Sequence, residues 1–333
     1  MGAERTDIDF AVEGDVETLA KRIGEDVRRH ERFLTATVRA SGLEIDLAAT
    51  RAESYPHPGA LPQVRPASLR DDLARRDFTI NAMAVPLFGD WALIDPHGGL
   101  DDLRAGLVRV LHDRSFVDDP TRAPRAARYA ARYGFALEPD TAALVRQTDL
   151  GTVSEERVDA ELRKLAAEPQ AAPGFRFLAE WGLCELGTDA LEVIERVVRL
   201  APDPPWSEVG SQAEAVLVAA TGDLEAVRGL AKHLPERPSE AVRLARGRPG
   251  AELLLARALG AQWLDRYVRE WRDVRLEIDG NDLIAAGLPE GPGVGAGLES
   301  ALARTLDGEI SGRDEQLRAA LAAVRSEPGN ESA

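Results

Sequence analysis

Asp7 and Asp9 stand two residues apart near the start of a 333-residue chain, within Asp7-Ile8-Asp9-Phe10-Ala11-Val12. The alternation predicts a strand over 7–12, with both carboxylates on one face and Ile8 and Phe10 on the other. Carboxylates paired in this way can hold Mg2+ beside a phosphate. Such pairs also occur at ordinary solvated strand ends. Asp46, in Glu44-Ile45-Asp46-Leu47, is the natural third member if its strand lies beside the first. Three carboxylates on adjacent strands can bind two metal ions. One ion lowers the pKa of an attacking hydroxyl, and both clamp an in-line phosphoryl displacement.

A second cluster is Asp119 followed by Arg122, Arg125 and Arg128, one arginine every three residues. Asp119 precedes Pro120, which predicts Asp119 as a helix N-cap with proline in the first helical position. The plain reading is a cap and a row of solvated arginines. An aspartate acceptor beside an arginine donor has a second use. Cytosine and adenine both present an amino donor next to a ring-nitrogen acceptor, whereas guanine and uracil present the reverse. An Asp119–Arg122 pair would on that reading accept CTP and ATP. Arg125 and Arg128 drift round the helix toward the phosphates and base edge, where bidentate contacts are strong.

The elements that must position these residues fall into two regimes. Residues 15–27 predict an amphipathic helix from Leu19, Ile23 and Val27 at i, i+4 and i+8. Residues 33–51 predict a hairpin about Ser41-Gly42. Residues 52–70 hold four prolines and predict a mobile loop. Residues 69–87 predict a helix ending at Pro86, and 91–103 a short strand, a turn and a helix start. Beyond Asp119 strand signals nearly vanish and Ala/Leu/Arg-rich helices follow. The five tryptophans are expected to pack rather than to stack on bases.

Composition narrows the function. The net charge of −16 argues against a nonspecific nucleic-acid coat and leaves room only for local basic grooves. Lysine occurs only at positions 21, 164 and 232, so the basic side chains are nearly all planar arginine forks suited to phosphates and base edges. A single cysteine, Cys184, excludes an intrachain disulfide and a multi-cysteine zinc site. With no signal pattern and no long apolar run, these features point to a cytoplasmic protein without a membrane partner.

Six stretches carry a family resemblance: "DIDFAVEGD", "EIDLAATRAE", "RRDFTINAMA", "DPHGGLDDLRAG", "SFVDDPTRAPRAARYAARYGF" and "SEERVDAEL". In this order, over roughly residues 7–165, the chain resembles the class II tRNA nucleotidyltransferase and bacterial poly(A) polymerase family, within the polymerase-beta-like nucleotidyltransferases. The resemblance implies an α+β fold, with a mixed-sheet nucleotidyltransferase head over 1–112. A helical nucleotide- and RNA-binding neck over 113–170 and a helical, tRNA-binding body and tail over 171–333 would follow. It implies template-independent addition of C and/or A to a tRNA 3′ end from CTP and ATP, with Mg2+ as cofactor. Asp7 and Asp9 would bind the metal, and Asp46 would complete the catalytic set. Arg76, Asp119, Arg122, Arg125 and Arg128 would take the nucleotide.

The segment "ERFLTATV" resembles the tRNA enzymes more than the tailing enzymes. Poly(A) tailing is the alternative within the family, and an inactive RNA-binding scaffold the alternative outside it. The long loop over 52–70 resembles the flexible element associated with terminal A addition. Family members normally carry a strand and a Gly-Gly turn before the paired aspartates. Their absence here makes the head N-terminally incomplete in expectation, from a start codon assigned too late in preference to a deliberate fragment or a genuinely shortened protein, with low or no activity.

Overall fold

The computed structural model describes residues 9–24, 26–30, 34–40, 43–222 and 224–325. Four strands, β1 (Asp9–Val12), β2 (Asp26–His30), β3 (Thr35–Ala40) and β4 (Leu43–Ala49), form one sheet in the order β1-β4-β3-β2. β1 runs parallel to β4, and the other neighbours are antiparallel. The parallel β1-to-β4 pairing beside an antiparallel hairpin thus makes the sheet mixed.

Helix α1 (Val16–Ile23) begins at Asp15, whose carboxylate accepts the Glu17 and Thr18 amide hydrogens at 2.9 and 3.2 Å. Val16 and Ala20 on α1 close over Ala36, Val38, Leu47 and Ala49 of the sheet. Burying side chains such as Val38 and Leu47 stabilises the sheet by about 1.5–3 kcal/mol each. Ile45, Leu47 and Ala49 line this apolar face, so the intervening Asp46 is left exposed on the opposite one.

The helix predicted over 15–27 is too long. Val27 continues the helical spacing, yet it lies in β2 and reaches the same core from there. The predicted loop over 52–70 is also corrected. β5 (Arg51–Ser54) and β6 (Gln63–Pro66) pair antiparallel, with Arg51 opposite Pro66. Pro66 is tolerated because it closes the end of a two-stranded edge.

Helix α2 (Leu69–Ala74) starts in a capping box between Ser68 and Asp71. It stops well before Pro86: Thr79–Asn81 form a single 3-10 turn, and Ala84 bridges Ile94 in extended backbone. Helix α3 (Gly99–Ala105) leads to β7 (Leu107–Val108), and α4 (Ser115–Asp118) to α5 (Arg122–Tyr133). β8 (Ala136–Leu137) pairs parallel with β7. Helices α6 (Pro139–Val145), α7 (Glu155–Ala166) and α8 (Ala171–Glu180) follow, with α7 and α8 both packed on α5. These elements make one compact unit, Met1–Glu185.

The second unit, Leu186–Ala333, is helical wherever it has regular structure among the described residues. Its core includes Ile194, Val197, Val216, Leu254 and Leu255, with Trp206 buried and its indole N–H donated to Asp265 at 2.8 Å. A smaller cluster gathers Ile278, Leu283, Ala301 and Ala320. Trp181 and Trp206 pack as expected, whereas Trp91 is 63% exposed. No described helix is long and apolar enough to cross a membrane.

Candidate active site

Parallel pairing of β1 with β4 sets Asp9 directly opposite Asp46. The antiparallel partner of Asp46 on its other side is Thr37, whose hydroxyl donates to Asp46 Oδ1 at 2.6 Å. That bond fixes the carboxylate's orientation, and Oδ2 meets no hydrogen-bond donor among the described residues. Asp7, and the side chain of Asp9, lie outside the described residues. Among the described residues no three His, Cys, Asp or Glu side chains come together as a metal cage. An exposed, oriented carboxylate with one unoccupied oxygen, opposite a second aspartate in register, still fits a divalent cation.

A carboxylate–arginine network begins at α2. Asp72 is buried and accepts from Arg75 Nη2 at 2.8 Å and from Arg76 Nη2 at 3.0 Å. Burial pushes its pKa up, but Arg75 and Arg76 outweigh burial and hold it below the usual aspartate value of 3.8. Arg75 also reaches Glu53 at 2.7 Å, and the Tyr55 hydroxyl donates to the same glutamate at 3.0 Å. Burial, followed by the Glu53 charge, pushes the Tyr55 pKa up to about 12. Arg76 is 32% exposed, and its Nε makes no hydrogen bond within the protein. Of the arginines assigned to the nucleotide, it has the most exposed side chain.

The arginine row of α5 drifts round the helix as its spacing predicts, but each member meets a protein partner. Arg122 is only 4% exposed and donates to Ser115 Oγ at 2.6 Å and to the Arg75 carbonyl at 2.8 Å. Arg125 pairs with Asp77 at 3.1 Å and lies 3.5 Å from Glu161. Burial alone would lower the Arg125 pKa; Asp77 and Glu161 raise it beyond its ordinary value. Arg128 lies between Glu161 and Glu168, at 3.9 and 3.7 Å, with its guanidinium 4.8 Å from the Tyr129 ring centroid.

Asp119 differs from its sequence expectation in two respects. It closes α4 instead of capping α5, because the residue before a proline is held in extended backbone, here at φ −136°. Its Oδ1 accepts the Thr121 amide and hydroxyl at 3.2 and 2.6 Å, an Asx turn leading into α5. Its guanidinium partner is Arg157 of α7, at 2.9 Å, and not Arg122. Asp72, Asp77, Glu161 and Arg157 are therefore the partners of the candidate site residues, and the sequence reading did not include them. The i, i+4 spacing of Arg157 and Glu161 in "ERVDAEL" was the available signal.

Residues 1–109 match the Poly A polymerase head domain family. The chain is 42% identical to the A-adding tRNA nucleotidyltransferase of Halalkalibacterium halodurans over 54% of this chain and 45% of the relative. It is 35% identical to the CC-adding tRNA nucleotidyltransferase of Deinococcus radiodurans over 98% of this chain and 87% of the relative. The chain belongs to the class II tRNA nucleotidyltransferase family. An apo CCA-adding enzyme structure aligns at 28% identity with a TM-score of 0.81, covering 96% of this chain and 88% of the other. A mixed-sheet head followed by helices is therefore the family fold, polymerase-beta-like at its head. The chain spans less than half the length of its A-adding relatives from H. halodurans, Geobacter sulfurreducens and Aquifex aeolicus. Divalent-metal dependence is general to the nucleotidyltransferase family, and Asp46 opposite Asp9 is where this chain would meet it.

Proposed function

We propose that this chain adds C and/or A to the 3′ end of tRNA, using CTP and ATP with Mg2+, as a nucleotidyltransferase of the cytoplasm. The observation that carries the reading is the register of Asp9 with Asp46, with Asp46 oriented by Thr37 and open to solvent. The head would comprise residues 1–112, the neck 113–170, and the tRNA-binding body and tail 171–333. Asp7, Asp9 and Asp46 would hold Mg2+, which lowers the pKa of a bound hydroxyl and neutralises phosphate charge. In the reaction the terminal 3′ oxygen of the RNA bonds to the α-phosphorus. The bond from that phosphorus to the bridging oxygen breaks, and pyrophosphate leaves.

The remaining residues bind and select. Arg76, the most exposed of these arginines, would offer its guanidinium to phosphate oxygens. Arg125 and Arg128 supply positive charge that Asp77, Glu161 and Glu168 hold in place. Asp119 offers a carboxylate acceptor to the exocyclic amino group that cytosine and adenine share. Arg122 acts from beneath, holding α5 against α4 and α2 through Ser115 and Arg75. Single-nucleotide extension tests this reading, on tRNAs ending before the CCA, after C and after CC. Addition of C to the first two, A to the third, or either activity alone supports it. Extension of unrelated RNAs by A as readily as tRNA would replace it with poly(A) tailing.

A further inference from the structure

Asp119 Oδ1 is saturated by three donors: the Thr121 amide at 3.2 Å, the Thr121 hydroxyl at 2.6 Å and Arg157 Nη2 at 2.9 Å. Oδ2 meets none among the described residues, so the free acceptor of this carboxylate is Oδ2. Arg157 spends its other terminal nitrogen elsewhere. Nη1 donates to the Gly59 carbonyl at 2.7 Å, in the connection between β5 and β6. Gly59 is itself pinned, with its N–H on the Val117 carbonyl at 3.2 Å and φ at +71°. A Cβ there would come within 2.3 Å of the Thr152 carbonyl oxygen. One planar fork thus joins three segments: the hairpin loop, the turn before α5 and the first turn of α7.

We propose that Arg157 is a positioning residue for base selection. It fixes the Asp119 carboxylate with Oδ2 presented to the base, and it ties that orientation to the hairpin loop at Gly59. The inference rests on the reading of Asp119 as the base acceptor. Both threonine bonds to Oδ1 come from the residue two positions along the chain. Arg157 reaches the carboxylate from a separate element, and its fork leaves little freedom once Gly59 holds the other arm.

The consequence for selectivity has a particular signature. A carboxylate oxygen held toward an amino group binds it strongly, and the same oxygen held toward the carbonyl of guanine or uracil repels it. A carboxylate free to turn loses the first effect and relieves the second. Losing Arg157 should therefore weaken ATP and CTP while leaving GTP and UTP unchanged or tighter. General loosening of the fold would weaken all four together.

The test is equilibrium binding of ATP, CTP, GTP and UTP with Mg2+ to the full chain. Wild type is compared with Arg157→Gln, Arg157→Lys and Asp119→Asn. For wild type, ATP and CTP should bind at least about 10-fold more tightly than GTP and UTP. Arg157→Gln should cut that ratio by about 10-fold. Arg157→Lys, which keeps the charge but cannot bridge both acceptors as a fork, should fall between. Collapse of the ratio in Asp119→Asn but not in Arg157→Gln overturns the inference and leaves the base-acceptor reading standing. Equal weakening of all four nucleotides by Arg157→Gln also overturns it. An unchanged ratio in Asp119→Asn removes the base-acceptor reading and the inference with it.

Discussion

At the scale of single residues, the polar side chains of the candidate site divide, on the proposed function, into those offered to a ligand and those that hold others in place. Thr37 is of the second kind. Replacing it by valine keeps its shape but removes the hydroxyl on Asp46. We expect Thr37→Val to reduce extension by about 10–100-fold and to shift the Mg2+ requirement upward. Asp46→Asn should cost more activity still, yet leave the melting temperature nearly unchanged, because its carboxylate is exposed. Arg122 reverses this pattern. Arg122→Met leaves the Ser115 hydroxyl and the Arg75 carbonyl without their donor in a buried place. The expected stability loss is about 2–4 kcal/mol, read by urea unfolding. A melting temperature for Arg122→Met equal to wild type would show that this guanidinium does not brace the fold. The sequence singled out Asp119 and the arginine row. It could not say which guanidinium meets the aspartate, since Arg122 and Arg157 are chemically identical and 35 positions separate them. That choice is made by the packing of α7 on α5.

At the scale of elements, periodicity was informative where one face met one core. The 33–51 hairpin alternates because Ile45, Leu47 and Ala49 pack under α1. Its pairing with β1 supplies the Asp9–Asp46 register. Spacing misled where two elements feed the same core, as with Leu19 on α1 and Val27 on β2. Proline content misled at 52–70, because proline forbids a ladder donor but not a strand end. The α2-to-α3 connection shows a tight approach that sequence motifs could only hint at. Thr79 donates its hydroxyl to buried Asp102 at 2.6 Å, and a Cβ on Gly99 would lie 2.1 Å from the Thr79 carbonyl oxygen. Gly99→Ala must push α3 off the 3-10 turn. We expect a loss of about 2 kcal/mol, with activity falling further because Asp77, the partner of Arg125, lies two residues before Thr79. Full stability in Gly99→Ala would mean that α3 moves away without consequence.

At the scale of the whole molecule, the buried titratable groups set a window of pH in which the chain is most stable. Asp72 has its folded pKa depressed, so its contribution is present above the unfolded value of 3.8 and is lost as pH falls through the folded one. His112 is held below 6.5, first by burial and then by the nearby Arg122 charge. As pH drops below that value the unfolded chain takes up a proton that the folded chain refuses, and stability declines before Asp72 begins to titrate. Tyr55 acts at the other end. Its folded pKa is about 12 against 10, so the folded chain keeps a proton that the unfolded chain releases. Its contribution is full below pH 10 and is lost as pH rises toward 12. Thermal unfolding should therefore show a plateau from about pH 7 to 10 with a decline on each side. His112→Phe should flatten the first part of the acid limb, between the wild-type onset near 6.5 and the region where carboxylates titrate. Tyr55→Phe should flatten the alkaline limb while lowering the plateau, because Glu53 loses the hydroxyl that it accepts from. If His112→Phe runs parallel to wild type throughout the acid limb, proton uptake at this histidine does not govern the decline. The carboxylates, led by Asp72 between its two arginines, would then account for it.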